Sequence, residues 1–311
     1  MKNSLLPTFI IIGAGKSGTT AVYHFLNEHP EVFMSPVKET NFFELEGKPI
    51  GTDSEEDPYN LYHYPQSINT WKAYKKLFKD AKSNQAIGEA SPMYLYGERS
   101  AGHIKDKLPD VKLIAILREP VDRLYSRWLH LLRDGNESIG DFKDCLNKSS
   151  IWWKRNDLVT EGFYGTNLKK YTDLFPTSQL KVLLYDDFKE NPEGFLKEIF
   201  EYIGVDSSFE PSLDREYNVS GKPKNPIVDN LIGTDSFLVK TAKKIAPSAT
   251  EQLKKGMAKQ MLTSLRKKNM ERPKIQKKFK LKLFNEVYLE EIEKLEKLIN
   301  RDLTSWKTKY E

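Results

Sequence analysis

Residues 8–28 join an apolar run, a glycine-rich octet and an amphipathic stretch with no spacer between them, and this junction constrains the fold more than any other part of the chain. Thr8-Phe9-Ile10-Ile11-Ile12 is short, β-rich and stopped by Gly13, the pattern of a buried parallel strand. Gly13-Ala14-Gly15-Lys16-Ser17-Gly18-Thr19-Thr20 follows, and then Thr20–Glu28 sets Val22, Phe25 and Leu26 at helical spacing. In such a strand–loop–helix unit, glycines let successive N–H groups converge on one point, and the helix start adds partial positive charge there. With Lys16 at its centre and hydroxyls at Ser17, Thr19 and Thr20, the octet has the chemistry of an anion site suited to phosphate.

The rest of the chain repeats the alternation. Ala86-Ile87-Gly88, Val111–Leu117 and Leu180–Tyr185 read as strands, and Trp71–Phe78, the segment opened by Pro120, and the stretch through Leu168, Tyr171 and Leu174 read as helices. From residue 286 onward, Val287, Leu289, Ile292, Leu295, Leu298 and Ile299 mark a terminal amphipathic helix that docks on the core. Strands alternating with helices predict an α/β fold of three layers, a mostly parallel central sheet with helices on both faces. Ligands of such sheets lie at the carboxyl ends of the strands, so the loops after Ile12, Gly88 and Leu117 are where the chemistry is expected.

Composition narrows the class. In 311 residues, 39% are hydrophobic and 30% charged, enough to bury a core without disulfide or metal, and the single cysteine, Cys145, can form no internal disulfide. The early apolar run, Phe9 to Ile12, is far short of the ~20 residues that span a bilayer, and no cleavage pattern follows it, so no transmembrane segment is expected and a cytoplasmic location is. The net charge of +5 is uneven: Lys240–Lys282 holds 15 basic residues against Glu251 and Glu271, or +13, and the remainder carries −8. Such a block reads either as solvated helix faces or as a surface for a polyanion or an anionic membrane.

Two patterns test which phosphate compound the octet takes. A nucleotide triphosphatase loop, G-x-x-x-x-G-K-[ST], would need glycine at position 10, where Ile10 stands. The dinucleotide pattern G-x-G-x-x-G reads through Gly13, Gly15 and Gly18, a weak signal when alone. The strand Val111–Leu117 ends not in a magnesium-binding aspartate but in Arg118-Glu119-Pro120, and an arginine there attracts another phosphate.

Residues 9–31 (FIIIGAGKSGTTAVYHFLNEHPE) and 112–129 (KLIAILREPVDRLYSRWL) resemble the 5′-phosphosulfate loop and the 3′-phosphate motif of the sulfotransferases that use 3′-phosphoadenosine 5′-phosphosulfate, PAPS. Further matches are residues 38–44 (KETNFFE), 88–96 (GEASPMYLY), 162–177 (GFYGTNLKKYTDLFPT), 218–227 (NVSGKPKNPI) and 302–307 (DLTSWK). The glutamate ahead of Phe42-Phe43 resembles the carbohydrate branch related to the heparan sulfate enzymes, in a soluble, bacterial form.

The resemblance implies a P-loop-like α/β fold in one domain over 1–311, with co-substrate motifs within 8–230, a basic helical insertion at 231–285 and a terminal docking helix at 286–311. It implies that Lys16, Ser17, Gly18, Thr19 and Thr20 hold the phosphosulfate, that Arg118 and Ser126 hold the 3′-phosphate, and that Lys222 and Lys224 lie in a basic loop closing over the co-substrate. Sulfuryl transfer develops charge on the leaving phosphate oxygen, so donors and a cation must already be aimed at it, and Lys16 is implied in that role. Glu39 is the implied base for the acceptor, and Glu89, at a strand end, competes with it. No metal is implied. The implied acceptor is a carbohydrate hydroxyl, with an amine as the other option, and no nucleic-acid partner is expected.

Two positions depart from the heparan sulfate type: Ala90 stands where relatives carry lysine, and Gly15 where they often carry arginine. A P-loop kinase and a non-catalytic polyanion-binding module are the alternative readings. The acceptor itself depends on loops 45–70 and 130–160, which carry no readable code. His24, His29 and His103 read as structural, and Trp71 and Tyr74 read equally as helix core or as a sugar platform.

Overall fold

Phe9–Gly13 forms β1, buried along its whole length, and every other strand of the main sheet runs parallel to it. A computed structural model describes residues 5–48, 50, 66–133, 139–213, 222–223 and 270–311, with backbone alone for 222, 223 and 270. After α1 (Thr19–Glu28) come β2 (Val32–Met34), α2 (Phe42–Leu45), α3 (Trp71–Lys76), β3 (Ala86–Ala90), α4 (Met93–Tyr96) and α5 (Ser100–Lys107). Next are β4 (Lys112–Leu117), α6 (Pro120–Arg133), α7 (Ile151–Lys154), α8 (Tyr164–Thr172), β5 (Leu180–Leu184), α9 (Tyr185–Glu190) and α10 (Pro192–Ile203). The chain separates into two compact units, the first built from 1–125, 142–217 and 276–311 and the second from 126–141 and 218–275.

In the first unit the sheet order is β2-β3-β1-β4-β5, which puts β1 at the centre with β3 on one side and β4 on the other. Gly88 permits the β1–β3 approach: a Cβ there would lie 2.1 Å from the Phe9 ring. One face of the sheet buries Phe9, Ile11, Ile114, Ile116 and Leu183 against Val22, Phe25 and Leu26 of α1 and Phe195, Ile199 and Phe200 of α10. Truncating one of these buried side chains to alanine costs ~2–5 kcal/mol. The other face meets α4, which packs on β1 and on α8. Helices on both faces of a parallel sheet make the expected three-layer α/β architecture. A strand absent from the sequence reading, β2, has three residues, too few for a periodic signal.

The terminal helix begins earlier than the expected residue 286. Lys277–Leu283 forms α11, a π turn spans Phe284–Tyr288, and α12 (Leu289–Ile299) and α13 (Thr304–Lys307) complete it. Buried Leu283, Phe284, Tyr288, Ile292 and Leu295 extend the apolar stripe back through the π turn, which is why the helix starts in the basic stretch. Docking is polar as well: Glu291 accepts from the Thr166 N–H (2.9 Å) and hydroxyl (2.8 Å), capping the start of α8. Tyr310 donates to Glu119 (2.5 Å) and Asp122 (3.0 Å) at the start of α6, where Lys280 (3.0 Å) and Lys309 (2.7 Å) also pair with Asp122. Of the basic block, residues 240–269 lie outside the described residues.

The second unit, as described, holds Ser126–Arg133 of α6, residues 139–141 and a two-residue antiparallel ladder, β6 (Lys222–Pro223) with β7 (Met270–Glu271). Within it, the Trp128 indole N–H donates to the Gly140 carbonyl at 3.1 Å. Among the described residues no helix is long and apolar enough to cross a membrane.

Candidate active site

The loop between β1 and α1 is held from three sides. Ala14 donates its N–H to Ile116 of β4 (2.8 Å), Gly15 donates its N–H to the Glu161 carboxylate (2.6 Å), and Arg118 donates Nη1 to the Lys16 carbonyl (3.1 Å). These contacts fix Lys16 in the left-handed region at φ 68°, a conformation costing a non-glycine residue ~1–3 kcal/mol and found where a surrounding framework over-determines it. Gly18 is left-handed too, at φ 86°, and a Cβ there would sit 3.0 Å from the Tyr185 ring.

Donors gather at the start of α1. Gly18 is its N-cap and supplies no side chain, and the first turn carries no acidic residue of its own. Ser17 is wholly buried, and among the described residues its hydroxyl has no hydrogen-bond partner. An unpaired buried hydroxyl costs ~1–3 kcal/mol, and an anion rich in acceptor oxygens would relieve it. Ser17, the start of α1 and the left-handed turn at Lys16 therefore fit a phosphate-like group.

Arg118 lies one residue beyond β4, beside this loop, because β1 and β4 are neighbours. Its guanidinium stands 5.1 Å from the Tyr185 ring centre, within cation–π range, and its carbonyl accepts from the Tyr164 hydroxyl at 2.8 Å. Ser126 is half-buried two turns into α6. Of the two implied lysines, Lys222 is described only as backbone in β6, and Lys224 lies outside the described residues.

The two candidate carboxylates differ completely. Glu89, at the end of β3, is fully buried and accepts from four hydroxyls: Thr40 (2.7 Å), Tyr74 (2.7 Å), Ser91 (2.9 Å) and Tyr94 (3.0 Å). Desolvation raises its pKa, and the four donors oppose that rise. Burial also pushes Tyr74 and Tyr94 well above the usual phenol range, so they act as donors to Glu89. Glu39 sits on the loop after β2, with its N–H on the Ala90 carbonyl (2.9 Å) and its side chain 25% exposed beside Lys38. Both Glu39 (φ 62°) and Asn41 (φ 51°) are left-handed, while Thr40 between them is buried and tied to Glu89. Glu89 thus anchors the loop that turns Glu39 outward.

Ser91 donates its N–H to the Ile11 carbonyl, so the Glu39 loop, β3 and β1 share one sheet edge, with β2 and β1 two strand spacings, about 10 Å, apart. Phe42 and Phe43, beyond Glu39, are core. Tyr74 is core as well, and the Trp71 ring stacks on it at 5.5 Å. His29 bridges the Asp206 carbonyl (2.9 Å) and the Glu31 N–H (3.0 Å), and His103 meets the Phe43 carbonyl (3.0 Å), both structural contacts.

Two contacts at the loop carry no short-range sequence signal. Glu161, 2% exposed, spans the Gly15 N–H and the guanidinium of wholly buried Arg123 (2.7 Å). Tyr185 stands at the first position after β5, at the carboxyl edge of the sheet, which is the one clue to its place.

A family model described as the sulfotransferase family matches residues 7–211. The chain belongs to the sulfotransferase family. Over 207 residues it is 26% identical to the human bifunctional heparan sulfate N-deacetylase/N-sulfotransferase 2, a match covering 64% of this chain and 22% of that protein. Over 282 residues it is 31% identical to the membrane-associated sulfotransferase kil1 of Dictyostelium discoideum, covering 64% of this chain and 56% of that one. The chain thus spans about a fifth of the heparan sulfate relatives and just over half of the amoebal one. Among solved structures, the sulfotransferase from Alicyclobacillus acidocaldarius superposes with a TM-score of 0.64 at 25% identity, over 97% of this chain and 99% of that one. The family and this neighbour agree with the motif resemblance and the parallel α/β fold.

Proposed function

We propose that this sulfotransferase family member moves a sulfuryl group from PAPS to a hydroxyl, or alternatively an amine, of a carbohydrate acceptor. The observation that carries the reading is the pair of anion-suited groups on adjacent strands: the β1 loop with its unpartnered Ser17 hydroxyl, and Arg118 hydrogen-bonded to that loop from the end of β4. A co-substrate carrying a 5′-phosphosulfate and a 3′-phosphate on one ribose needs two such sites close together. The heparan sulfate enzymes among the relatives support a carbohydrate acceptor.

In this reading Lys16 and the donors of Ser17, Gly18, Thr19 and Thr20 hold the 5′-phosphosulfate and stabilise the charge that grows on the phosphate oxygen as the S–O bond breaks. Arg118, at the end of β4, holds the 3′-phosphate, and the motif resemblance adds Ser126, Lys222 and Lys224 as further candidate co-substrate residues. Glu39 takes the acceptor proton as the acceptor oxygen bonds to sulfur. The exposure of Glu39 and the saturation of Glu89 by four hydroxyls favour Glu39 as base. No observation favours the kinase reading.

The test is thermal stabilisation by adenosine 3′,5′-bisphosphate against ADP and ATP with magnesium. A ligand at 100 times its Kd adds about 2.7 kcal/mol, readily seen as a melting shift. A shift with the bisphosphate alone, lost in Arg118→Ala, is expected. A shift with ATP alone would overturn the reading.

A further inference from the structure

Glu161 stands outside every co-substrate motif, on the single helical turn Thr160–Gly162 ahead of α8, yet its carboxylate reaches the anion loop. Oε1 accepts from the Gly15 N–H at 2.6 Å, and Oε2 accepts from Arg123 Nη1 at 2.7 Å. Both side chains are buried, Arg123 completely, and the Arg123 guanidinium is further fixed by the carbonyls of Asp157 and Leu158. The turn bearing Glu161 is itself wedged, since a Cβ on Gly162 would meet the Tyr288 ring at 2.7 Å and Pro120 at 3.2 Å. A rigid carboxylate therefore holds the residue immediately before Lys16. The same carboxylate leaves no room for a side chain at position 15, because a Cβ there would lie 2.9 Å from Oε1.

The consequence falls on Lys16. Its left-handed turn lies between two fixed points, the Gly15 N–H on Glu161 and its own carbonyl on Arg118. Release of the first point leaves the loop tied only at Ala14, on Ile116, and at the Lys16 carbonyl, on Arg118, with Gly15 between them untethered and the strained turn able to relax toward φ < 0, which would re-aim the ammonium. We propose that Glu161, backed by Arg123, is a positioning residue that locks the anion loop so that Lys16 and the following donors face the co-substrate. This rests on the proposed PAPS reading of the loop. It adds an acceptor that occupies one loop N–H, so that the anion is met by the groups that follow.

Removing Glu161 alone would strand a buried arginine, so the test uses paired variants. Arg123→Met/Glu161→Gln and Arg123→Met/Glu161→Met both abolish the ion pair without leaving a buried charge, a replacement that is often neutral for stability. They differ in one respect: the glutamine pair keeps a side-chain oxygen for the Gly15 N–H, and the methionine pair does not. Two readouts apply, the Kd for adenosine 3′,5′-bisphosphate and the amide hydrogen exchange of Gly15 in the ligand-free protein. The glutamine pair is expected to bind within about threefold of wild type with Gly15 protected, and the methionine pair at least tenfold more weakly with Gly15 exchanging quickly. Equal affinity and equal Gly15 protection in the two pairs would make Glu161 a core ion pair only and overturn the proposal. Failure of wild type to bind the bisphosphate would instead overturn the PAPS reading, and the exchange comparison would still decide whether Glu161 holds the loop.

Discussion

The β1 loop and the Glu89 cluster lie at neighbouring strand ends on one sheet edge and treat polar groups in opposite ways. At the loop, a buried serine hydroxyl and the start of a helix stand among donors with no acidic residue in the first turn. At Glu89, an equally buried carboxylate is saturated by four hydroxyls from four positions in the chain. Burial is therefore a poor guide to function here, and completeness of partners is a better one. At these two places the complete set of partners at Glu89 marks a support, and the unpartnered hydroxyl at Ser17, beside a helix start, fits a place built for something the chain does not itself contain.

This contrast is broken most directly at the groups assigned to chemistry. Lys16→Ala and Glu39→Gln should each lower transfer at least ~10³-fold, the scale of losing a positioned charge or base, with melting temperature retained. Activity remaining in Glu39→Gln but lost in Glu89→Gln at full stability would exchange the roles of the two carboxylates. Glu89→Gln should act through the fold: an amide presents NH₂ donors to hydroxyls that need an acceptor, and the melting temperature should drop by about 5–10 °C. Ser17→Ala should show the reverse pattern, with the ligand-free melting temperature raised by about 2–6 °C because the cost of the unpaired hydroxyl is removed, and bisphosphate affinity reduced about tenfold, since the hydroxyl finds its partner only in a ligand.

The smallest expected effect is at Asp122, a second saturated carboxylate. Although burial opposes it, Lys309 and Lys280 hold its pKa well below the usual aspartate range. A depressed folded-state pKa gives stability that is present above the ordinary aspartate value and lost as pH falls through that range. Urea unfolding of Asp122→Asn should thus show a deficit on the order of 1–2 kcal/mol at pH 7 that shrinks below about pH 4. A deficit independent of pH would mean that packing, and not charge, accounts for it.

What can be read in the sequence tracks how local each signal is. The β1 loop is contiguous, so its glycines, Lys16 and hydroxyls declare an anion site before any fold is known, and Arg118 follows from a strand end. The Glu39 loop is legible as a motif, but the choice between Glu39 and Glu89 is not, because the hydroxyls that disqualify Glu89 come from Thr40, Tyr74, Ser91 and Tyr94. Glu161 is invisible for the same reason, since its loop partner Gly15 is far away in the chain. The start of the terminal helix is misplaced because Lys277–Leu283 reads as part of a charged run, whereas Lys280 is drawn to Asp122 and Leu283 is buried.

The central place of β1 has a consequence for biosynthesis. Its pairing partners are Gly88–Ala90 on one side and Lys112–Ala115 on the other, so the strand that leads into the anion loop emerges long before either neighbour exists. At ~5–20 residues per second, roughly a hundred residues of further translation leave Phe9–Ile12 without its second neighbour for about 5–20 s. During that interval a wholly apolar strand has open edges, the condition in which nascent chains stick to one another or are captured by chaperones. Charge added next to β1 should therefore reduce losses during synthesis more than it alters the finished fold.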